Sequence, residues 1–170
     1  MDATPRHITL ALTGLTTESW SAFGSLPGDE RVGTGSDLEF LWNDGQVNFI
    51  AHDISELTFT QDGRACCDHV NRHDTHTQTL MPMTGDAYIV VAPERVNFSE
   101  PQDFETVRAF LIPQYVPVHL ARGTWHWGPY PITTPSLRIF NVQGRGYARD
   151  NGITWLERDH HTTYEVAIND

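Results

Sequence analysis

Asp68-His69-Val70-Asn71-Arg72-His73-Asp74-Thr75-His76-Thr77-Gln78, running on to Gly85, and His119-Leu120-Ala121-Arg122-Gly123-Thr124-Trp125-His126-Trp127 are the two histidine-rich stretches that point to an architecture. Together they hold five of the nine histidines in the chain. Residues two apart on a strand point to the same side. Asn71 and His73 therefore face one way, and His69 shares their parity. Gln78 enters from the next strand, and His126 arrives from a distant part of the chain. A closed barrel is the architecture that brings such side chains to one point inside an enclosed pocket.

The rest of the sequence supports an all-β reading. Leu38 to Trp42 and Gln46 to Ala51 flank Asn43-Asp44-Gly45, and Asp-Gly is a strong hairpin signal because the turn needs residues that tolerate positive φ. Asp86 to Ala92, Thr106 to Ile112, Ser136 to Val142 and Thr163 to Ile168 read as further short strands closed by Pro, Gly or Asp. Thr16 to Gly24 reads as the only clear helix, with Thr16 or Thr17 as cap, Trp20 and Phe23 on one face, and Gly24 as its end. The 13 glycines and 10 prolines sit mostly in the breaks. No repeat and no linker divides the chain, so residues 1–170 read as one β-barrel domain with one short N-terminal helix.

Hydrophobic residues make up 39% and aromatics 11%, which suits a globular protein. The formal net charge is -11, which disfavours nucleic acid and anionic membranes as partners but leaves room for a small anionic substrate in a locally positive pocket. The two cysteines, Cys66 and Cys67, are adjacent and poorly placed for a relaxed mutual disulfide. On a strand they point to opposite faces, so at most one faces the barrel interior. The start, Met1-Asp2-Ala3-Thr4-Pro5, lacks a basic region followed by an apolar run, and no stretch of about 18 apolar residues occurs. The expectation is a soluble cytoplasmic protein.

The spacing of the first stretch, Asn71-x-His73, then Gln78, then Gly85, resembles the first cupin motif with two ligand types replaced. Ala121-x-Gly123-x-x-His126 followed by Tyr130 resembles the second. Within that superfamily the chain is similar to the ureidoglycolate lyases. Leu15-Thr16-Thr17-Glu18-Ser19-Trp20-Ser21-Ala22-Phe23-Gly24 matches their opening, and Arg72 to Pro82 matches their central Arg-His run ending in Pro. Ile89-Val90-Val91-Ala92-Pro93 matches the next apolar strand, and Arg122-Gly123-Thr124-Trp125-His126 is their signature intact. These elements occur in family order over roughly residues 12–150, leaving 151–170 as an extension. The departures are Leu120 and Ala121 where a Tyr-His pair is common, Trp127 where a second His is common, and His76 where Gly is usual.

The resemblance implies a cupin-type barrel (a double-stranded β-helix), a homodimer, and a lyase splitting ureidoglycolate into glyoxylate and urea. Some members use a divalent transition metal; the sequence does not distinguish nickel, manganese, iron, zinc or a site without metal. Arg72, His73, Gln78, Arg122, Gly123, Trp125 and His126 carry over residue by residue. Cleavage needs a base for the hydroxyl and a proton for the leaving urea, and histidine suits both near neutral pH. His73 and His126 are the candidates for base, acid or metal ligand, and Gln78 for bonding substrate or metal. Asn71 also faces the lumen. An arginine would clamp the substrate carboxylate, with Arg72 first and Arg138 second, although Arg72 has the opposite parity to His73. His69, His76 and His119 are available to supplement His73, His126 and Gln78 as metal ligands. Without a carboxylate ligand such a site is weaker than three His and a Glu. The bland reading is that most of these histidines are solvated or structural. Two further functions stay open: a related lyase, isomerase or cyclase on another small oxygenated metabolite, and a non-catalytic small-molecule binder.

Overall fold

The structure, a computed structural model, describes residues 4–28, 35–41 and 44–168. It is mainly β. In chain order the strands are β1 (Arg6–Thr13), β2 (Gly24–Ser25), β3 (Gly45–Asp53), β4 (Thr58–Phe59), β5 (Ala65–Cys67), β6 (His69–Arg72), β7 (Gln78–Pro82), β8 (Ala87–Ala92), β9 (Arg108–Ile112), β10 (Val118–Leu120), β11 (Trp125–Pro131), β12 (Ser136–Gly144), β13 (Gly152–Trp155) and β14 (Thr162–Ala167). Three short helices interrupt them: α1 (Thr17–Trp20), α2 (Pro101–Phe104) and α3 (Leu156–His160).

The strands form two sheets. One has nine strands in the order β13-β6-β11-β8-β9-β1-β14-β5-β4, and the other has five in the order β2-β10-β7-β12-β3. The larger sheet curls upon itself. Val70 of β6 stands second in the strand order and Cys67 of β5 eighth, yet both belong to one core cluster with Tyr88, Val90, Trp125, Trp127, Tyr164 and Val166. Its other face packs on the smaller sheet. There Ile89, Val91, Phe110 and Ile112 meet Leu80, Val118, Leu120, Leu137 and Ile139. Strand β8 is buried along its whole length because alternate residues serve the two cores. This explains its unbroken apolar run, since a strand covered on both faces needs no polar parity. The outcome is the expected cupin-type barrel.

Helix α1 keeps its predicted cap but is shorter than the sequence suggests. The Thr16 side chain accepts from the Ser19 backbone N–H, and the Ser19 hydroxyl returns to Thr16 N–H at 3.0 Å. Trp20 and Phe23 lean on Phe110, with ring centroids 5.0 and 5.6 Å away, so the helix seals one end of the inter-sheet core. Gly24 begins β2 instead of merely ending the helix. Helices α2 and α3 were not expected.

The hairpin reading is overturned. β3 pairs along all nine residues with β12, from Ser136 opposite Asp53 to Gly144 opposite Gly45. Leu38–Leu41 is no strand; Phe40 makes one isolated bridge to His76. Trp42 and Asn43 lie outside the described residues. The Asp44 carbonyl accepts from Arg145 N–H at 2.7 Å, so Asp44-Gly45 opens a ladder to a remote strand. A nine-residue ladder outweighs the local turn preference. The segment after Asn151 is also more than an extension. β14 runs parallel to β1 and antiparallel to β5, and its Tyr164 and Val166 are fully buried.

A Cβ at Gly24 would stand 1.9 Å from the His119 carbonyl oxygen, whereas one at Gly14 would meet nothing within 4 Å. Gly24→Ala should therefore push β2 off β10 and cost about 2–4 kcal/mol, while Gly14→Ala stays within about 1 kcal/mol of the parent. Equilibrium denaturation of both variants checks this, and equal stabilities would contradict the packing described.

Candidate functional site

The site follows from strand parity. On β12, Leu137, Ile139, Asn141 and Gln143 alternate inward, and the first two are apolar while the last two are amides. On β11, Trp125 and Trp127 face the curled core, so His126 faces the other sheet. Asn71 of β6 is the register partner of His126. Gln78 opens β7. The barrel interior is thus apolar at the β8–β9 side and polar at the β6–β11 side.

At the polar side lies a cleft of about 500 Å³, lined by Asn71, His73, Gln78, His126, His52, Tyr130, Gln143, Asn151 and Tyr147 among others. Gln78 and His126 meet there, as the sequence reading requires. Beneath the cleft, His73, His76, Gln78 and His126 also border one small void. The rings of His73 and His76 are stacked with centroids 4.7 Å apart, and His126 is 5.3 Å from His73.

Each of these imidazoles is tied through Nδ1. His73 Nδ1 donates to the Asp150 carbonyl at 2.9 Å, and His126 Nδ1 to the Thr124 carbonyl at 3.2 Å. His76 Nδ1 lies 3.4 Å from both the Thr75 hydroxyl and the Asp150 carboxylate, and that hydroxyl gives its own proton to Asp150. A carbonyl oxygen only accepts, so Nδ1 carries the proton and Nε2 keeps its lone pair. The Nε2 of His76 is buried without a partner. Gln78 gives both amide hydrogens away, to Asn141 Oδ1 at 2.9 Å and Gln143 Oε1 at 3.1 Å, which leaves its Oε1 buried and unpartnered. Asn141 is held in turn by its own donation to Asn48 at 2.8 Å.

Burial lowers the pKa of His73, drives that of His76 down to about 4, and drives that of His126 down to about 3; the neighbouring imidazoles add to the last two. All three are neutral near pH 7. Neutral imidazoles with free Nε2 atoms beside a free amide oxygen fit a divalent transition metal. His73, His76 and Asp150 each offer a ligand atom, and these three atoms lie within 4.8 Å of one another.

Other predicted residues stand elsewhere. Arg72 lies on the opposite face, its guanidinium over Trp125 at 4.6 Å and its Nε 3.1 Å from Asp74. Arg122 pairs with Glu39 at 2.8 Å on the surface. Arg138 points out of the barrel, 4.1 Å above the Phe49 ring, because inward places on β12 belong to its odd-numbered neighbours. His69 shares the parity of His73 but sits two residues before Asn71, where β6 faces Trp155 of β13 instead of β11. Its Nδ1 is 2.6 Å from Asp68, and it lines a separate cleft. His119 is bonded to Thr79 at 2.8 Å, away from the void. No arginine or lysine lines the central cleft among the described residues.

Sequence reasoning missed Asp150 and His52. His52 borders the cleft, its ring edge-on to Tyr130 at 4.8 Å, and its Nδ1 lacks a hydrogen-bond partner. It lies on β3, whose apolar Val47 and Phe49 point outward, so apolar parity misleads there. Asp150 follows two strand-ending glycines and carries no motif. Gly144, one of these, has a packing role: a Cβ there would sit 2.6 Å from Nδ1 of His76.

The buried imidazoles should make stability depend on pH. His126 titrates near 6.5 in an unfolded chain and at about 3 in the folded one, so between these values only the unfolded chain binds the proton. Its contribution is complete above pH 6.5 and declines by about 1.4 kcal/mol per pH unit as the pH falls. Unfolding free energies measured in chelator between pH 7.5 and 4.5 should drop more steeply for the parent than for His126→Gln. Superimposable profiles would contradict a buried neutral imidazole.

No curated protein matches the sequence. Among solved structures, dTDP-4-dehydrorhamnose 3,5-epimerase of Bacillus anthracis str. Ames, crystallised with TDP and PPi, overlaps 75% of this chain and 73% of its own. The identity is 15% and the TM-score 0.37, an overlap too loose to carry any argument about this site. The ureidoglycolate lyase family model matches residues 57–160, more than half of the chain and the part that holds β6, β7 and β11. The chain therefore belongs to the ureidoglycolate lyase family.

Proposed function

We propose that the protein is a carbon–nitrogen lyase that converts ureidoglycolate to glyoxylate and urea. The observation that carries this reading is the polar lining of the cleft, in which Asn71, Gln143, Asn151, His52 and His73 supply amides and imidazoles beside Tyr130 and Tyr147. Such groups pair with the N–H and C=O of a ureido group without requiring it to ionise. A divalent metal would be held by His73, His76, His126 and Gln78, and it would supply a positive charge for the substrate carboxylate and acidify its hydroxyl.

The protein's own residues handle the protons. His126, with a pKa of about 3, is a poor base near neutral pH and serves better as a ligand. His52 is the better base: burial lowers its pKa, but Glu56, 3.7 Å from its Nδ1, and Asp53 oppose that effect, and with Nδ1 turned to Glu56 its Nε2 is the nitrogen left for substrate. It takes the proton of the substrate hydroxyl as the O–H pair becomes C=O and the C–N pair leaves with nitrogen. It then returns that proton to the departing urea, so no net proton is consumed. The strap carrying Tyr147 and Asn151 narrows access of bulk water to the bond being broken.

One observation favours the second reading, a related cupin enzyme for another small oxygenated metabolite. Among the described residues no arginine lines the cleft, so their charges do not demand a carboxylate. Arg72, Arg122 and Arg138 are accordingly outside this mechanism. We also read the chain as one domain, since β8 serves both cores and β14 completes the sheet begun by β1. Two free cysteines suit a reducing, cytoplasmic compartment. No helix of the described residues is long and apolar enough to cross a membrane.

A homodimer is part of the proposal. β3 ends the smaller sheet, with Val47 64% and Phe49 50% exposed beside Phe140, which makes a long edge with an apolar outer face. Light scattering should find a dimer for the parent and a monomer for Phe49→Lys; a monomeric parent would remove this part of the reading.

Urea release from ureidoglycolate, measured with metal content, tests the reaction. The parent should release urea. His52→Ala should lose about 10²–10⁴-fold in kcat with its metal retained. His126→Ala should lose both turnover and metal while staying folded. A metal-loaded parent that releases no urea would shift the assignment to the second reading.

A further inference from the structure

After β12 the chain crosses the cleft as a strap, and Tyr147, Ala148 and Asn151 form part of the cleft wall. Asp150 stitches this strap to the turn that carries His73 and His76. Its carbonyl accepts His73 Nδ1–H at 2.9 Å. Its Oδ1 accepts the Asp74 N–H at 3.1 Å. Its Oδ2 accepts the Thr75 N–H at 2.8 Å and the Thr75 hydroxyl, and His76 Nδ1 faces that same oxygen at 3.4 Å. The side chain is only 10% exposed.

Two roles are open to Asp150: ligand or clamp. A carboxylate oxygen has about two lone pairs. The Thr75 N–H and hydroxyl already occupy both on Oδ2, and the hydroxyl oxygen in turn stands 3.4 Å from His76 Nδ1, so the oxygen nearest His76 has nothing left for an ion. The carbonyl and Oδ2 instead meet the Nδ1 edges of two stacked rings, which turns the Nε2 edges away from Asp150. One residue thereby sets the tautomer of both imidazoles and anchors a wall of the cleft.

We propose that Asp150 is a positioning residue: it holds His73 and His76 as Nδ1-protonated imidazoles with Nε2 facing the void, and it is not itself a ligand. The functional meaning rests on the metal reading given above, whereas the orientation of the rings does not. Metal-binding histidines are commonly fixed in this way by a partner on the other nitrogen, and loss of the partner typically weakens metal affinity about 10–100-fold.

The test reads the imidazole nitrogens first. Long-range proton–nitrogen correlation spectra of chelator-treated protein should show His73 and His76 in the Nδ1-protonated form. Asp150→Ala should mix the tautomers of His76 directly and those of His73 through loosening of the segment that presents the carbonyl of position 150. Asp150→Asn, which keeps one side-chain acceptor, should restore part of the order, and Thr75→Val should disturb that of His76 mildly. If Asp150→Ala does not fold, the other two variants carry the comparison. Titration with Co(II) then separates clamp from ligand. Asp150→Asn should bind Co(II) about 10–100-fold more weakly with an unchanged visible absorption band. Unaltered tautomers in the Asp150 variants, unweakened Co(II) binding, or a changed band would each overturn the proposal. If the parent takes up no Co(II) yet the tautomers respond as described, the metal reading fails and the positioning role stands.

Discussion

The constraint on which the structure depends is the burial of β8, β9 and β11 on both faces. A pleated strand offers alternate side chains to opposite sides, so a sheet covered twice sorts its sequence into two compartments without exception. Tyr88, Val90, Trp125 and Trp127 fill the curled core, and Ile89, Val91 and Phe110 fill the barrel. A register slip of one residue would exchange Trp127 for His126 and destroy both compartments at once. His126 is polar inside a barrel because its two tryptophan neighbours have already claimed the apolar side.

That constraint explains how much of the fold and site was legible. Asn71, His73, Gln78 and His126 came together because parity and spacing are local properties that a sequence displays. β12 and β14 were found for the same reason, through apolar runs with clear ends. The failures share one cause, namely partners remote in sequence. Asp44-Gly45 carries a strong local turn signal, but β12 recruits β3 across about ninety residues, and the hairpin never forms. His52 hides on a strand whose Val47 and Phe49 face outward while only Ile50 marks the inner face, so apolar parity gives it no clear side. Asp150 belongs to no strand, and only the fold reveals that its five contacts end on the turn at His73–His76.

The arginines show the limit of motif transfer. Arg72 and Arg122 match family positions in sequence, yet one covers Trp125 and the other meets Glu39. Their packing suggests structural work: a guanidinium over an indole covers apolar surface while staying partly wet. The cleft is left with amides, neutral imidazoles and tyrosines. Its chemistry is thereby tuned to uncharged polar groups, with any positive charge supplied by what it binds.

Gly144 and His76 stand far apart in the chain but share one volume. The backbone of β12 passes so near the imidazole that position 144 has no room for even a methyl group. The two sites therefore form an evolutionary pair. A lineage that carries a small residue at 76 is free to place a side chain at 144, and one that acquires histidine at 76 must first, or simultaneously, give that side chain up. Covariation between these columns in relatives would be the historical trace of this packing.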